Sequence, residues 1–403
     1  MTPLPTPRYL NASTPPHIST LVLLAGMSAL SMNVFLPSLP KMATHFDTSY
    51  GVIQLSVSGF LLMSAFLQII VGPLSDRYGR RPVVLWSLVL FILATFGCIY
   101  APTIEAFLTL RMVQAVSVAG IVLSRAAVRD MVPPEKAASM IGYVTMGMSL
   151  VPMVGPAIGG VLDAAFNWQA SFVLLGLVGI AVLFISYRDM GETNRSQASN
   201  FRDQVRDYPE LLSSRRFWGY CLSAAFCSGA YFAYLGGGPL VGAETFGLSP
   251  EVLGICFGAP ALGYMAGNYI SGRYSERFGI NRMILAGASL VAIGMVACLA
   301  LFLLGLGNAF VFFGAMPFVG LGNGMALPNA TSGMLSVRPH LAGTASGLGG
   351  AMMTGGGAAL AAGAGAMFSV LSGAIPLIVL MLVTALMGLF AIAYVIRREK
   401  SLG

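Results

Sequence analysis

The stretch GPLSDRYGRRP at residues 72–82 returns 200 positions later as GRYSERFGINR at 272–282. Gly72 and Gly272, Ser75 and Ser275, Arg77 and Arg277, and Gly79 and Gly279 are identical, while Asp76 matches Glu276 and Tyr78 matches Phe278 in chemistry. Each copy is a short charged loop set between long apolar segments. The chain therefore reads as one unit written twice, and the loop marks the same place in each unit.

Working outward from these loops, segments of about 20 apolar residues recur, the length a helix needs to cross ~30 Å of hydrocarbon. Twelve spans are expected at 18–40, 51–74, 82–101, 104–124, 137–162, 169–187, 217–238, 251–272, 283–305, 309–330, 341–367 and 373–396. Composition agrees: 56% of the 403 residues are apolar and only 9% charged, with a mean hydropathy of +0.80. A water-facing surface needs about 25% charge, so a soluble fold is excluded. Of the 22 Lys and Arg, all but two fall in the tails and the even-numbered loops; Lys41 lies in an odd-numbered loop and Arg111 inside a span. By the positive-inside rule both termini are expected in the cytoplasm. The net charge of +7 is thus a matter of topology and gives no reason to expect nucleic acid.

The organisation expected is a disordered tail at 1–17, a six-helix bundle at 18–187, a cytoplasmic linker at 188–216, a second bundle at 217–396 and a short tail at 397–403. Within the linker, Phe201, Val205, Tyr208 and Leu211 have helix-like spacing and suit a short surface helix. Duplicated six-helix bundles are a transporter design, with the substrate site at their interface near the midplane.

The five cysteines have no C-x-x-C spacing, the three histidines do not cluster, and no phosphate-binding G-x-x-x-x-G-K-[ST] or zinc-binding H-E-x-x-H occurs. No metal, cofactor or ATP site is expected, and an embedded enzyme would lack its side chains.

Five segments carry a resemblance. The 72–82 loop resembles the signature of the major facilitator superfamily between spans two and three. Arg111 and Gln114 in span four resemble its R-x-x-Q element. Gly155, Pro156, Gly159 and Gly160 in span five resemble the G-P-x-x-G-G element of drug/proton antiporters. The run from Asn33 to Pro40 and Asn167-Trp168-Gln169-Ala170-Ser171-Phe172 are similar to the Bcr/CflA group of multidrug efflux transporters. The resemblance implies an inner-membrane, monomeric, proton-coupled exporter of drugs by alternating access. The other reading is a proton-coupled importer of a small polar nutrient or metabolite on the same fold. One departure stands out: that group commonly carries Asp where this chain has Asn33, and Asn does not titrate.

Individual residues refine the expectation. Asp76 is expected to latch the N-terminal end of span eleven near Arg338-Pro339-His340 as a gate, with Arg77, Arg80 and Arg81 pairing with Asp130 or lipid headgroups. Gly72 and Gly79 are expected to allow close helix approach and a tight turn. Arg111 lies inside a span, where a charge is costly unless it faces protein, water or a partner. It serves either a substrate site or the backbone carbonyls of its neighbours. Arg125 and Arg129 fall on the same stripe and are expected at the cytoplasmic interface. Asp163, near Arg111, is the coupling candidate, because no span carries a central carboxylate. Asn33, Gln114, Asn268 and Asn323, with Tyr231, Tyr234 and Tyr264, complete the expected lining. A lumen with Arg and amides but no carboxylate favours amphipathic substrates that are neutral or weakly acidic.

Overall fold

The computed structural model describes residues 7–132, 151–194, 209–338, 342–367 and 373–400, with 140, 144 and 148 as isolated positions. Among the described residues there is no strand. The first half contains α1 (Ile18–His45), α2 (Tyr50–Tyr78), α3 (Arg80–Ile99), α4 (Ile104–Met131) and α6 (Gln169–Asp189), with α5 described over Val151–Ala165. The second contains α7 (Arg215–Leu240) and α8, which runs as Pro250–Phe257 and then Ala259–Phe278. It continues with α9 (Ile280–Leu303), α10 (Ala309–Val337), α11 (Ala342–Met367) and α12 (Ile375–Lys400).

Eight of these are long and apolar enough to cross a membrane by length and composition alone. Of the others, α5 is apolar but shorter over its described residues, and α7, α8 and α11 are richer in Gly, Ser or Tyr, which lowers their hydropathy. Outward-facing side chains such as Phe390, 75% exposed, and Phe66, 59% exposed, are tolerable only against lipid. Several helices overrun the expected spans: α1 continues to His45 and α10 to Val337. Interfacial turns are helical but polar, so hydropathy does not register them.

The duplication extends to packing. In the first half α3 packs on α6, α2 on α4, α3 on α4 and α1 on α5; in the second α9 packs on α12, α8 on α10, α9 on α10 and α7 on α11. The halves meet along two seams, α2 with α11 and α5 with α8. Exchanging the halves turns one seam into the other, as a twofold-related pair of bundles requires. Gly79 and Gly279 both take positive φ, +96° and +83°, so the repeated loop makes the same turn twice in a conformation only glycine adopts freely.

The N-terminal stretch, expected to be a disordered tail, is folded over residues 8–17. Fully buried Asp189, at the end of α6, accepts the backbone N–H of Leu10 at 2.6 Å and of His17 at 2.8 Å. His17 is the N-cap of α1, so the carboxylate also sits at the positive end of that helix. The charge pattern of the tail gave no sign of this, because the donors are backbone. Phe201, Val205 and Tyr208 of the expected surface helix lie outside the described residues; Leu211 is buried.

The antiporter-like stripe is a seam. A Cβ at Gly159 would collide with the Val34 carbonyl of α1, and one at Gly160 with the Pro250 carbonyl of α8. Gly72 has nothing within 4 Å of its would-be Cβ, so no close approach forms there. Gly159→Val should lower thermal stability of the detergent-purified protein by about 1–3 kcal/mol, the range for overpacking. Gly72→Ala should leave it unchanged or raise it by roughly 0.5–1 kcal/mol, the helix-interior gain over glycine; unfolding curves of the two variants check both.

Candidate functional site

Arg111 is fully buried in the first half and finds all its partners there. Its guanidinium donates to Gln114 Oε1, to the Ser31 carbonyl at 3.4 Å and to the Ser56 carbonyl at 3.3 and 3.4 Å. Phe35 and Phe60 flank it with ring centroids at 4.4 and 4.5 Å, a cation–π clamp. Gln114 passes the chain on, donating to Thr95 Oγ1 at 2.6 Å. The carbonyl-satisfying role is therefore the one the geometry supports, and Arg111 ties α1, α2 and α4 together. Asp163, expected near it, pairs elsewhere: Lys41 Nζ lies 2.9 Å from its Oδ2. That pair is electrostatic, since neither carboxylate oxygen accepts a well-aligned hydrogen bond.

The polar residues that meet between the halves come from four helices. Asn33 on α1 donates to the Ala29 carbonyl at 2.7 Å and faces the Tyr231 hydroxyl of α7 at 3.4 Å. Tyr231 and Tyr264 of α8 are within electrostatic reach of each other, and Tyr264 is likewise within reach of Arg125 on α4. Asn268 donates to the Tyr264 carbonyl at 2.8 Å. Tyr231, Tyr264, Asn268 and Arg125 are each partly exposed, as expected of side chains lining a gap. Arg125 sits near the loop-face end of α4, where its neighbour Ser124 donates to the Leu21 carbonyl in the first turn of α1. Tyr234 is not part of the lining: it is fully buried and stacks on Phe257 at 4.6 Å. Asn323 is buried with its Oδ1 unpartnered.

On the face away from the repeated loops the halves are in contact. Tyr50 donates to the Gly236 carbonyl at 3.1 Å and Gln54 to the Ala361 carbonyl at 3.4 Å, while Gly254 abuts the Pro156 carbonyl. These bonds join α2 to α7 and α11 and close that end of the gap. Deeper in, Gln68 donates to Thr354 Oγ1 at 3.2 Å.

At the loop face, Arg80 is the hub. Its guanidinium meets Asp76 at 2.5 Å and Asp130 at 3.1 Å and donates to Ser75 Oγ at 2.5 Å. Arg81 donates to the Tyr187 carbonyl at 2.9 Å and lies over that ring, whereas Arg77 lies over Tyr78. Of the residues expected beside Asp76, Arg338 pairs with Glu210 at 2.8 Å, and 339–340 lie outside the described residues. Glu192, which the sequence reading passed over, accepts the backbone N–H of Arg80 at 2.9 Å and of Arg81 at 3.1 Å. A carboxylate there caps the start of α3. Its neighbours follow suit: Thr193 donates to Asp130 at 3.0 Å and Asn194 to the Asp76 carbonyl at 2.7 Å. Only the acidic residue just past α6 could have hinted at this in the sequence.

A twelve-helix twofold pair of bundles with a polar gap between them and a charged loop after the second helix of each defines a secondary transporter. The family model of the Major Facilitator Superfamily matches residues 21–362, and the chain belongs to that superfamily. Multidrug resistance protein D of Escherichia coli is 30% identical over 349 residues, 82% of this chain and 84% of its own length. A bicyclomycin resistance protein homolog of Haemophilus influenzae is 26% identical over 339 residues, 83% of this chain and 85% of that protein. The MFS-type transporter YdgK of Bacillus subtilis is 33% identical, but the match spans only 62% of this chain and 64% of that one. The similarity to bicyclomycin- and multidrug-resistance proteins agrees with the Bcr/CflA resemblance of residues 33–40 and 167–172. A crystal structure of a D-xylose–proton symporter has the same fold, with a TM-score of 0.72 at 16% identity over 94% of this chain and 96% of that one.

Arg111→Ala strands Gln114 and leaves a hole between Phe35 and Phe60. It should cost about 2–4 kcal/mol of stability, the range for truncating a buried, hydrogen-bonded side chain, and lower the yield of folded protein; thermal unfolding checks it. Glu192→Ala should speed amide hydrogen exchange at residues 80–81 by about fivefold, the factor for losing ~1 kcal/mol of capping, and leave α9 unchanged.

Proposed function

We propose that the chain is a proton-coupled exporter of small amphipathic compounds, working by alternating access in a bacterial inner membrane, with the repeated loops and both termini in the cytoplasm. The observation that carries the reading is the polar set Asn33, Tyr231 and Tyr264, held between halves that meet along two interchangeable seams. The names of the relatives, resistance proteins for drugs, support the direction. In this reading residues 18–187 and 217–396 rock about the gap, 188–216 link them, and a monomer suffices. The Asp76–Arg80–Asp130 cluster, capped by Glu192, acts as the cytoplasmic latch, with Arg77 and Arg81 as its anchors.

Proton coupling falls to Asp163, since Asn33 does not titrate. A proton on Asp163 removes its attraction to Lys41. Asp163 stands one turn from Gly160, which packs on α8, so the lost ion pair loosens the seam that shuts the external face. Protonation from outside thereby favours opening to the outside.

The test is transport by the full chain in proteoliposomes under an imposed pH gradient. Wild type should move an amphipathic dye against its gradient in exchange for protons, and Asp163→Asn should abolish the dependence on the pH gradient while leaving dye binding in place. Gradient-driven uptake of a labelled polar metabolite with no movement of dye would instead establish the importer.

A further inference from the structure

In the second half α7 and α12 pack side by side and leave a groove of about 580 Å³ along their outer face. Its floor is Gly219, where a Cβ would collide with Val395 Cγ2 of α12, so the two helices close up beneath it. Its walls are Trp218, Leu222 and Phe226 on α7 and Met387, Phe390 and Tyr394 on α12. Leu222, Met387, Phe390 and Tyr394 are each at least 39% exposed, which suits only hydrocarbon. From Arg215 to Phe226 the groove runs about 16 Å at 1.5 Å per residue, the depth of one leaflet of a ~30 Å core.

Only the loop-face end of the groove is charged. Arg215 lines it there, exposed and with no hydrogen bond or ion pair among the described residues. On α12 the stripe through Met387, Phe390 and Tyr394 continues one turn on with Arg397 and Arg398, at the three- and four-residue spacing that shares a helix face. Arg216 lies 2.6 Å from Glu399, which brings the start of α7 and the end of α12 together, and Asn281 of the repeated loop donates to the same carboxylate at 2.5 Å. Glu399, shared by Arg216, Tyr220 and Asn281, is the one acid among Arg215, Arg216, Arg397, Arg398 and Lys400. In the matching corner of the first half, where α1 starts and α6 ends, the chain covers itself: residues 8–17 close on Asp189. An apolar groove one leaflet long, headed by an excess of cations, fits an amphiphile with an anionic head.

We propose that this groove is a binding site for an anionic phospholipid of the loop-face leaflet. One acyl chain lies over Gly219 between the aromatic walls, and the Arg215 guanidinium holds the phosphate, flanked by Arg397. Trp218, whose indole N–H donates to the Leu212 carbonyl at 2.7 Å, stands at the level of the glycerol backbone, where membrane-interface indoles sit. The lipid bridges α7 and α12 and splints the second half, whichever way substrate moves. Loop-face cations also attract anionic lipid without any groove, so the test has to separate the two.

Trp218 reports on the groove directly. Of the three tryptophans, Trp168 is buried, so Trp86→Phe leaves Trp218 as the accessible indole. The full-length Trp86→Phe protein is placed in phosphatidylcholine bilayers holding a small fraction of lipid brominated on its acyl chains, either phosphatidylglycerol or phosphatidylcholine, and quenching of indole fluorescence gives their relative affinity. Phosphatidylglycerol should be preferred by about 5–25-fold, the factor for one or two arginines near a membrane surface. In this background Arg215→Gln should lower the preference about fivefold, and Arg215→Lys should keep most of it, since the charge survives. Arg188→Gln, at the loop face of the first half, should leave it unchanged. Ala391→Phe, which fills the groove with every arginine intact, should remove it. Thermal unfolding in phosphatidylcholine checks the fold of each variant, and the preference of the Trp86→Phe protein is a test by itself. The proposal is overturned by equal quenching from both lipids in that protein, by a loss in Arg188→Gln as large as in Arg215→Gln, which would mean attraction to the whole face, or by a preference that survives Ala391→Phe. Displacement of the lipid by chain-free glycerophosphoglycerol would overturn it in favour of a phosphate site, and a dimer that shuts out both lipids would overturn it in favour of a second copy of the chain.

Discussion

Two bundles that must part and rejoin depend on a boundary where the backbone itself makes the contact. Side chains interdigitated across a seam would have to be withdrawn at each cycle, whereas a glycine resting on a carbonyl can separate without reordering rotamers. That is the character of the α5–α8 seam here, with Gly160 on Pro250 and Gly254 on Pro156. Single hydrogen bonds to carbonyls, such as those of Tyr50 and Gln54, add orientation at modest net strength. The closed end is therefore held by several weak contacts rather than by one strong one, which keeps the two arrangements close in free energy.

Charge is spent differently at three levels of the molecule. Near the closed face, Arg111 is buried and saturated, a structural rivet among α1, α2 and α4. At the loop face, Arg80 gathers Asp76 and Asp130 while Glu192 covers the backbone of the same turn. Between them, nearer the loop face, Arg125 makes no hydrogen bond and no ion pair among the described residues.

Much of this architecture was legible in the chain. The repeat at 72–82 and 272–282 revealed the duplication, and the recurring apolar segments marked the helices. The structure added that the packing partners are duplicated as well. Individual sites were less legible for a definite reason. Hydropathy locates a helix but not its rotation, so Arg111 and Arg125 looked like one stripe with different depths, and Tyr234 looked as available as Tyr231. Contacts made by backbone atoms leave no mark in residue type, which is why the capping by Glu192 and the pinning of residues 8–17 by Asp189 went unforeseen. Asp163, expected beside Arg111, is a buried carboxylate whose partner is Lys41, the one basic residue of the odd-numbered loops.

The Asp189 pin carries a consequence for how this region changes over time. Because the carboxylate grips amide protons, which every residue but proline possesses, the leader ahead of α1 can exchange almost any side chain and still be clasped. Comparison of relatives should then find a fixed acid at the end of α6 facing a stretch that keeps its length and bend while its letters wander, a constraint on shape that substitution rates alone would mistake for neglect.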